Sequence, residues 1–409
     1  MPHGYGTVVA ELKDALTRQR YNRVAVHNYC RNAGYFLAYL AARKIALEAV
    51  TPADVTNYLR LAVRQFRKRH GRAPARYWVG IPRSGIHALL KLALKRWPPE
   101  PAATDAGERL CREVCVQYQT WLREDRGLAM ASVDALLWEA RNFCAWLIKH
   151  SNASFADLTV RDLDIYMDMR ARGLTRKSLK DVAERLRSLL RHLHRTGRIA
   201  ADLSQHVIAP LLYAYEGIPS ALSTDQISTV LEFARKDRSP IGLRDHAILQ
   251  LLAVYGLRAG EIIRLRLEDV DWRGDVLHIR RSKTGDHSRL PLFETVGEAL
   301  IDYLRHGRPE TDVREIFVRT RAPYVPMVRI YSEVSGRIEA AGITLSGKRG
   351  PHIFRHARAV SLLRASVPRK LIGDVLGHRS TESTIPYLKL ATEDLRAIAL
   401  EIPGQEVRS

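Results

Sequence analysis

The sequence predicts a mainly α-helical protein with one small β-sheet: helical bundles through the first 215 residues and a mixed α/β region from about Ser220. Three observations predict it. Apolar residues in the first 215 positions recur with a period near 3.6 and almost never alternate, the pattern of amphipathic helices. Two short runs, Val276 to Arg281 and Arg289 to Leu292, flank a turn carrying Thr284-Gly285-Asp286 and read as a hairpin. Helical periodicity then resumes from about Ile330 to the end.

Within the helical half, two stretches look alike. Phe36-Leu37-Ala38-Tyr39-Leu40 precedes Val50-Thr51-Pro52-Ala53-Asp54-Val55 and Tyr58; Phe143-Cys144-Ala145-Trp146-Leu147 precedes Leu158-Thr159-Val160-Arg161-Asp162-Leu163 and Tyr166. The offset is 107 in the first block and 108 in the second, a single gap. In each copy a threonine with an aspartate three residues on opens a helix, a capping box with a short acid, and the tyrosine seven residues after the threonine falls on one helix face. This predicts a duplicated helical module. Trp97-Pro98-Pro99-Glu100-Pro101 cannot continue a helix and serves as the linker. The expected domains are a helical module over 1–98, a second over 105–210, and a mixed domain over 220–409.

At 409 residues two or three domains are expected. An apolar fraction of 46% is that of a globular protein, and no run approaches the roughly 18 apolar residues that span a bilayer. Met1 to Glu11 lacks a positive lead before an apolar stretch, so no secretory signal is read and a cytoplasmic location without membrane attachment is expected. Cys30, Cys111, Cys115 and Cys144 have no Cys-x-x-Cys spacing for zinc and are expected to be buried reduced thiols; no metal or cofactor is implied. A net charge of +21 calls for a polyanionic partner, and charge alone leaves DNA, RNA and acidic membranes open. Basic runs lie in both helical modules: Arg60, Arg64, Arg67, Lys68, Arg69 and Arg72 in the first, and Arg172, Arg176, Lys177, Lys180, Arg185, Arg187, Arg191 and Arg195 in the second. Each residue taken singly reads as part of a solvated helix face; as a set they suit sequence-neutral contacts to phosphates.

The mixed half opens at Ser223-Thr224-Asp225-Gln226, a capping box, followed by an apolar helix from Arg244 to Tyr255 that Gly256 closes. Six polar residues then sit at element ends: Arg258, Lys283, His352, Arg355, His378 and Tyr387. Glu261 lies one turn beyond Arg258 and can orient its guanidinium. Lys283 is at the hairpin tip, His352 and Arg355 share the start of one helix, three apart, and His378 follows a glycine helix stop in Leu376-Gly377-His378. Breaking a phosphodiester without metal requires neutralising the charge on a crowded phosphorus, which two arginines can do in bidentate fashion. It also requires deprotonating a nucleophile, here a phenol, and protonating the departing 5′-oxygen, which a lysine on a hairpin can supply. Arg258 and Arg355 fit the first task, Tyr387 with a histidine the second, Lys283 the third. Each residue alone is ordinary; the order, with gaps of 25, 69, 3, 23 and 9, is not.

Through Arg-x-Gly-Glu, Ser-Lys-Thr-Gly, His-x-x-Arg-His, Leu-Gly-His and the terminal tyrosine, residues from about Ser220 to Leu395 resemble the catalytic domain of tyrosine recombinases, the phage integrase and Xer group. Residues 105–210 resemble that family's core-binding domain, a helical (SAM-like) bundle that with the catalytic domain forms a clamp around duplex DNA. The resemblance implies a 3′-phosphotyrosyl link at Tyr387, transition-state stabilisation by Arg258, Arg355 and His378, protonation of the 5′-oxygen by Lys283 and assistance from His352. It implies double-stranded DNA as partner, no cofactor, and a homo-tetramer on two DNA sites that passes through a Holliday junction, with related recombinases or DNA-bending proteins as candidate accessories. The expected role is integration, excision or transposition of a mobile element.

Beyond Tyr387, Thr392-Glu393-Asp394 opens an amphipathic helix with Leu395, Ile398, Ala399 and Ile402 on one stripe, which in the family docks on a neighbouring subunit; docking on its own domain is the alternative. Two positions depart from the family's pattern. Phe354 replaces the usual leucine, and Pro386, directly before the nucleophile, restrains Ile385 to extended angles. Residues 1–98 exceed a minimal Xer-type protein; a second DNA-binding module, an arm-site binder and an oligomerisation domain are the alternatives, and the internal similarity favours the first. Competing readings are a type IB topoisomerase or telomere resolvase with the same site, and a non-catalytic DNA-binding regulator.

Overall fold

The computed structural model describes residues 5–75, 77–150, 155–212, 221–281, 287–345, 347 and 349–377. The chain divides into two compact units, residues 100–216 and residues 1–99 together with 217–409. It is mainly helical with one three-stranded antiparallel sheet, the predicted fold class.

The first unit begins with α1 (Tyr5–Arg18), α2 (Arg23–Ala42), α3 (Pro52–His70) and α4 (Gly80–Leu94). Their apolar faces meet in a core holding Phe36, Leu40, Leu59, Ile86 and Leu90. A Cβ on Gly85 of α4 would lie 2.7 Å from the Tyr29 carbonyl of α2, so glycine there lets the two helices close up. The second unit contains α5 (Ala106–Thr120), α6 (Met130–His150), α7 (Val160–Ala171) and α8 (Arg176–Arg195), again around one core, with Phe143, Leu147, Leu163, Tyr166 and Leu186 at its centre. Cys111, Cys115 and Cys144 are buried free thiols in it, whereas Cys30 in the first unit is only half-buried.

The resemblance between the two stretches extends to atomic detail. Thr51 and Thr159 both sit at extended N-caps, and in each the backbone N–H donates to the aspartate Oδ2 at 2.9 Å while the aspartate N–H donates to the threonine Oγ1 at 3.3 Å. Phe36 and Tyr39 stack at 6.2 Å and Tyr58 meets both edge-on at 5.2 Å; Phe143 and Trp146 stack at 5.8 Å and Tyr166 meets them at 5.0 and 5.4 Å. The two stretches therefore match in cap and aromatic geometry as well as in sequence.

The rest of the first unit runs α9 (Thr224–Lys236), α10 (Pro240–Tyr255), α11 (Ala259–Ile263), β1 (Val270–Asp271), β2 (Val276–Arg280), β3 (His287–Pro291), α12 (Glu294–Asp302), α13 (Tyr331–Ala340), α14 (His352–Arg364) and α15 (Arg369–Leu376). The strands pair in the order β1-β2-β3, with Leu277 opposite Leu290 and Ile279 opposite Ser288. α10 is the central helix: Ala247, Ile248, Leu249, Leu251 and Leu252 have no exposed surface. It starts four residues before the expected Arg244, because Ser239 accepts from the Gly242 N–H as an N-cap and Pro240 takes the first position. Two expectations need correction. Helices resume at Glu294, not Ile330, since Val296, Ala299 and Leu300 already form a buried stripe; and β1 pairs on the free edge of β2, a strand of two residues too short to show alternation. Phe354 packs fully buried in the core.

Candidate active site

Two glycines set the site's framework. Gly256 ends α10 and Gly377 ends α15, each in the left-handed conformation at φ +63° and +65°. Added side chains would also collide: a Cβ on Gly256 would lie 2.9 Å from Leu376, and one on Gly377 2.8 Å from Arg281 Nε. The two helix ends therefore lie against each other, with their last carbonyls turned toward a shared space.

Three arginines enter that space. Arg258, at the N-cap of α11, donates from Nη2 to the Gly377 carbonyl at 2.7 Å and from Nη1 to Glu261 Oε1 at 2.9 Å. Its backbone N–H donates to the other carboxylate oxygen at 2.8 Å, so Glu261 fixes both ends of the residue, as expected from their spacing. Arg355, buried on the first turn of α14, bridges the two helix ends, donating to the Gly256 carbonyl at 2.9 Å and to Leu376 at 2.6 Å. Arg258 and Arg355 are thus brought together on the C-terminus of α15.

Arg281 is the third, and sequence reasoning missed it. Its side chain is 1% exposed, donates to the Val375 carbonyl at 2.8 Å and to Ser288 Oγ at 3.0 Å, and pairs with Glu261 Oε2 at 3.3 Å. A signal existed. Leu277, Ile279 and Arg281 alternate toward the core along the strand and its continuation, while Arg280 points outward to Asp269. In a pair of adjacent arginines, that parity distinguishes the buried one. Burial lowers the Arg281 pKa and the Glu261 carboxylate opposes the shift, leaving a cation at neutral pH.

Arg258 and Arg281 thus share one carboxylate that has no exposed side-chain surface, and Arg355 joins them at the same helix end. The helix carbonyls accept from all three guanidiniums without neutralising them, and cations held in this way can receive an anion. His352 begins α14 three residues before Arg355 but is exposed where Arg355 is buried. Lys283, His378 and Tyr387 lie outside the described residues, as do the hairpin turn, Pro386 and the tail stripe from Leu395 to Ile402.

The basic sets differ between the modules. Arg60, Arg64, Arg67, Lys68, Arg69 and Arg72 are all exposed on or just after α3, and none has an ion-pair partner among the described residues. In the second unit Lys177 pairs with Asp181, Arg187 with Glu184 and Arg195 with Asp125. No described helix is long and apolar enough to cross a membrane.

Residues 220–394 match the model of the phage integrase family. Over 190 residues the chain is 63% identical to a Sinorhizobium fredii (strain NGR234) protein named as an integrase/recombinase, y4gC, covering 46% of this chain and 99% of the relative. A second protein of that strain, named as the integrase/recombinase y4rA, is 29% identical over 395 residues, 95% of this chain and 92% of its own. Among solved structures, a lambda integrase tetramer bound to a Holliday junction shares the fold with a TM-score of 0.53 at 18% identity, over 78% of this chain and 90% of that one.

Proposed function

This chain belongs to the phage integrase family of tyrosine recombinases, and we propose that it cuts duplex DNA at a specific site through Tyr387 and rejoins it to a new partner. The observation that carries the site assignment is the convergence of Arg258, Arg355 and Arg281 on the last carbonyls of α15, the residues directly before His378. A phosphate oxygen placed there meets cations already gathered at one point as negative charge builds. In this reading Tyr387 attacks phosphorus and forms a 3′-phosphotyrosyl ester, the P–O bond to the 5′-oxygen breaks, and Lys283 donates the proton that oxygen requires. His378 and His352 handle the phenol's proton and steady the equatorial oxygens. The ester conserves the energy of the broken bond, so attack by another strand's 5′-hydroxyl reseals DNA without a nucleotide.

Residues 105–210 are the proposed core-binding domain and 220–409 the catalytic domain; 1–98 form a second DNA-binding module, a reading supported by the matched aromatic triads and by the unpaired basic face of α3. The fold shared with the lambda integrase tetramer supports a four-subunit complex on two DNA sites, and the integrase names of the relatives support action on a mobile element; a cytoplasmic location is part of the same proposal. A covalent trap tests the reading. The full chain is incubated with nicked suicide duplexes bearing sites selected for tight binding, and adducts are separated under denaturing conditions. An adduct that vanishes in Tyr387→Phe, and falls about 100- to 1,000-fold in Arg258→Ala or Arg355→Ala, is expected. Absence of any adduct overturns it.

A further inference from the structure

The two copies of the helical module differ at one place that the shared fold makes easy to compare. In the second copy the core behind the aromatic triad is filled: buried Glu139 accepts from the Tyr166 hydroxyl and from Arg170 Nη2, and the Arg170 guanidinium lies 5.0 Å from the Trp138 ring centre. At the same offsets the first copy has Asn32 for Glu139, Ala62 for Arg170 and Arg31 for Trp138, while Tyr58 keeps the tyrosine. The carboxylate and the guanidinium that filled the space are gone. In their place is a cavity of about 660 Å³ against α2, α3 and Trp78.

Tyr58 lines this cavity, is 7% exposed, and its hydroxyl has no hydrogen-bond partner among the described residues. Burial pushes its pKa up to about 12, so it is a neutral donor waiting for an acceptor. The hydroxyl opens into the cavity, where a guest can accept from it. The wall is aromatic, with Phe66 4.8 Å from Trp78 and 4.3 Å from His70 between ring centres, and Tyr35 exposed at the mouth. Arg31 and Arg69 add two cations, and the lining contains no aspartate or glutamate. A cationic guest is therefore disfavoured. Aromatic faces, a hydroxyl donor on the wall and flanking guanidiniums suit a flat base with acceptor edges joined to a phosphate, and the volume suits one such unit.

We propose that the first helical module binds a single unstacked nucleotide in this cavity, with Tyr58 donating to the base, Trp78 and Phe66 packing on it and Arg69 facing its phosphate. The inference rests on the proposal that residues 1–98 face DNA, and it adds a function the second copy has lost or never had. Arg60, Arg64 and Arg67, spaced along α3, would hold the adjoining duplex while an unpaired nucleotide enters the cavity beside them.

The test uses the full chain and a duplex with a one-nucleotide bulge carrying 2-aminopurine, a fluorescent adenine analogue. Wild type is expected to change the bulge's fluorescence and to bind it roughly ten- to a hundred-fold more tightly than the unbulged duplex. Asn32→Glu with Ala62→Arg installs the second copy's filling pair; it should abolish that preference and leave unbulged duplex binding unchanged. Arg69→Glu, at an exposed position, should reduce the preference without touching the core, which keeps the test valid if the double variant folds poorly. A free deoxynucleoside monophosphate, followed by saturation-transfer NMR, separates the sources: binding that the double variant loses means the site also takes free nucleotides, and bulge binding alone means it takes a strand-linked one. No preference for the bulge, or a preference that survives the double variant, overturns the inference. The covalent trap is scored separately. A chain that forms the Tyr387 adduct but shows no bulge preference loses only this inference; one that binds the bulge without an adduct loses the recombinase reading.

Discussion

Glu261 and Arg281, both closed off from solvent, pair at 3.3 Å behind Arg258, and the same carboxylate holds Arg258 at 2.9 Å. One acid therefore sets the position of two cations in the site. Arg281→Met leaves Glu261 to Arg258 and takes the donor from the Val375 carbonyl, a loss of about 1–3 kcal/mol that should lower the melting temperature. Arg281→Met with Glu261→Gln should lower it further, because the carboxylate that holds Arg258 is then gone as well. Strand cleavage should fall too: misplacing Arg258 should hold the double variant's rate about 10- to 100-fold below wild type at unchanged DNA affinity. A double variant that cleaves at the wild-type rate would dismiss Arg281 and Glu261 as positioning residues.

Gly377 and Gly342 both have positive φ, +65° and +77°, but only Gly377 has a neighbour in the way of a Cβ. Gly342→Ala should cost about 1–2 kcal/mol of stability from the left-handed backbone alone and leave cleavage intact. Gly377→Ala should cost more and slow cleavage, since Arg281 must move. Chemical denaturation and single-turnover cleavage of the two variants check this; equal behaviour would show that the contact with Arg281 has no weight.

Because Thr51 and Thr159 make matching caps, Thr51→Ala and Thr159→Ala should each destabilise by about 1 kcal/mol, and by similar amounts. Urea titrations followed by helicity suffice. A large loss at one site and none at the other would break the equivalence of the copies.

His192 is 2% exposed, neither ring nitrogen has a hydrogen-bond partner among the described residues, and burial pushes its pKa down to about 4. The unfolded chain binds the proton near pH 6.5 and the folded chain only near 4, so stability is full above about pH 6.5 and drains away as pH falls toward 4. The unit formed by residues 100–216 should lose about 2 kcal/mol between pH 7 and pH 4.5 from this residue. In His192→Leu that part of the pH dependence should disappear from thermal melts; an identical slope in both proteins would refute the assignment.

What the sequence could reveal depended on how local the cause was. The capping boxes at Thr51, Thr159 and Ser223 and the stop at Gly256 rest on residues within a few positions of each other, and they were legible. Arg258 and Glu261 were legible as a pair for the same reason. Arg281 was not, because its partners at Glu261, Val375 and Leu376 are brought to it only by the fold, and a charged residue in a strand gives no apolar signal. β1 and α12 were missed through shortness: two residues and nine carry little periodicity. The exchange of Glu139 and Arg170 for Asn32 and Ala62 was visible in the sequence, but its consequence, an empty space, exists only in three dimensions.

Arg258, Arg281 and Arg355 donate to the carbonyls of Val375, Leu376 and Gly377, three consecutive residues. A phosphate arriving in the site competes with those carbonyls for the same protons. Occupancy of the site and tension on the peptide after Gly377 are consequently linked quantities: whatever factor one changes in the other's equilibrium is returned in full. If DNA is held there, a change in how the peptide after Gly377 is set should alter the affinity for DNA, and DNA should alter that setting by the same factor.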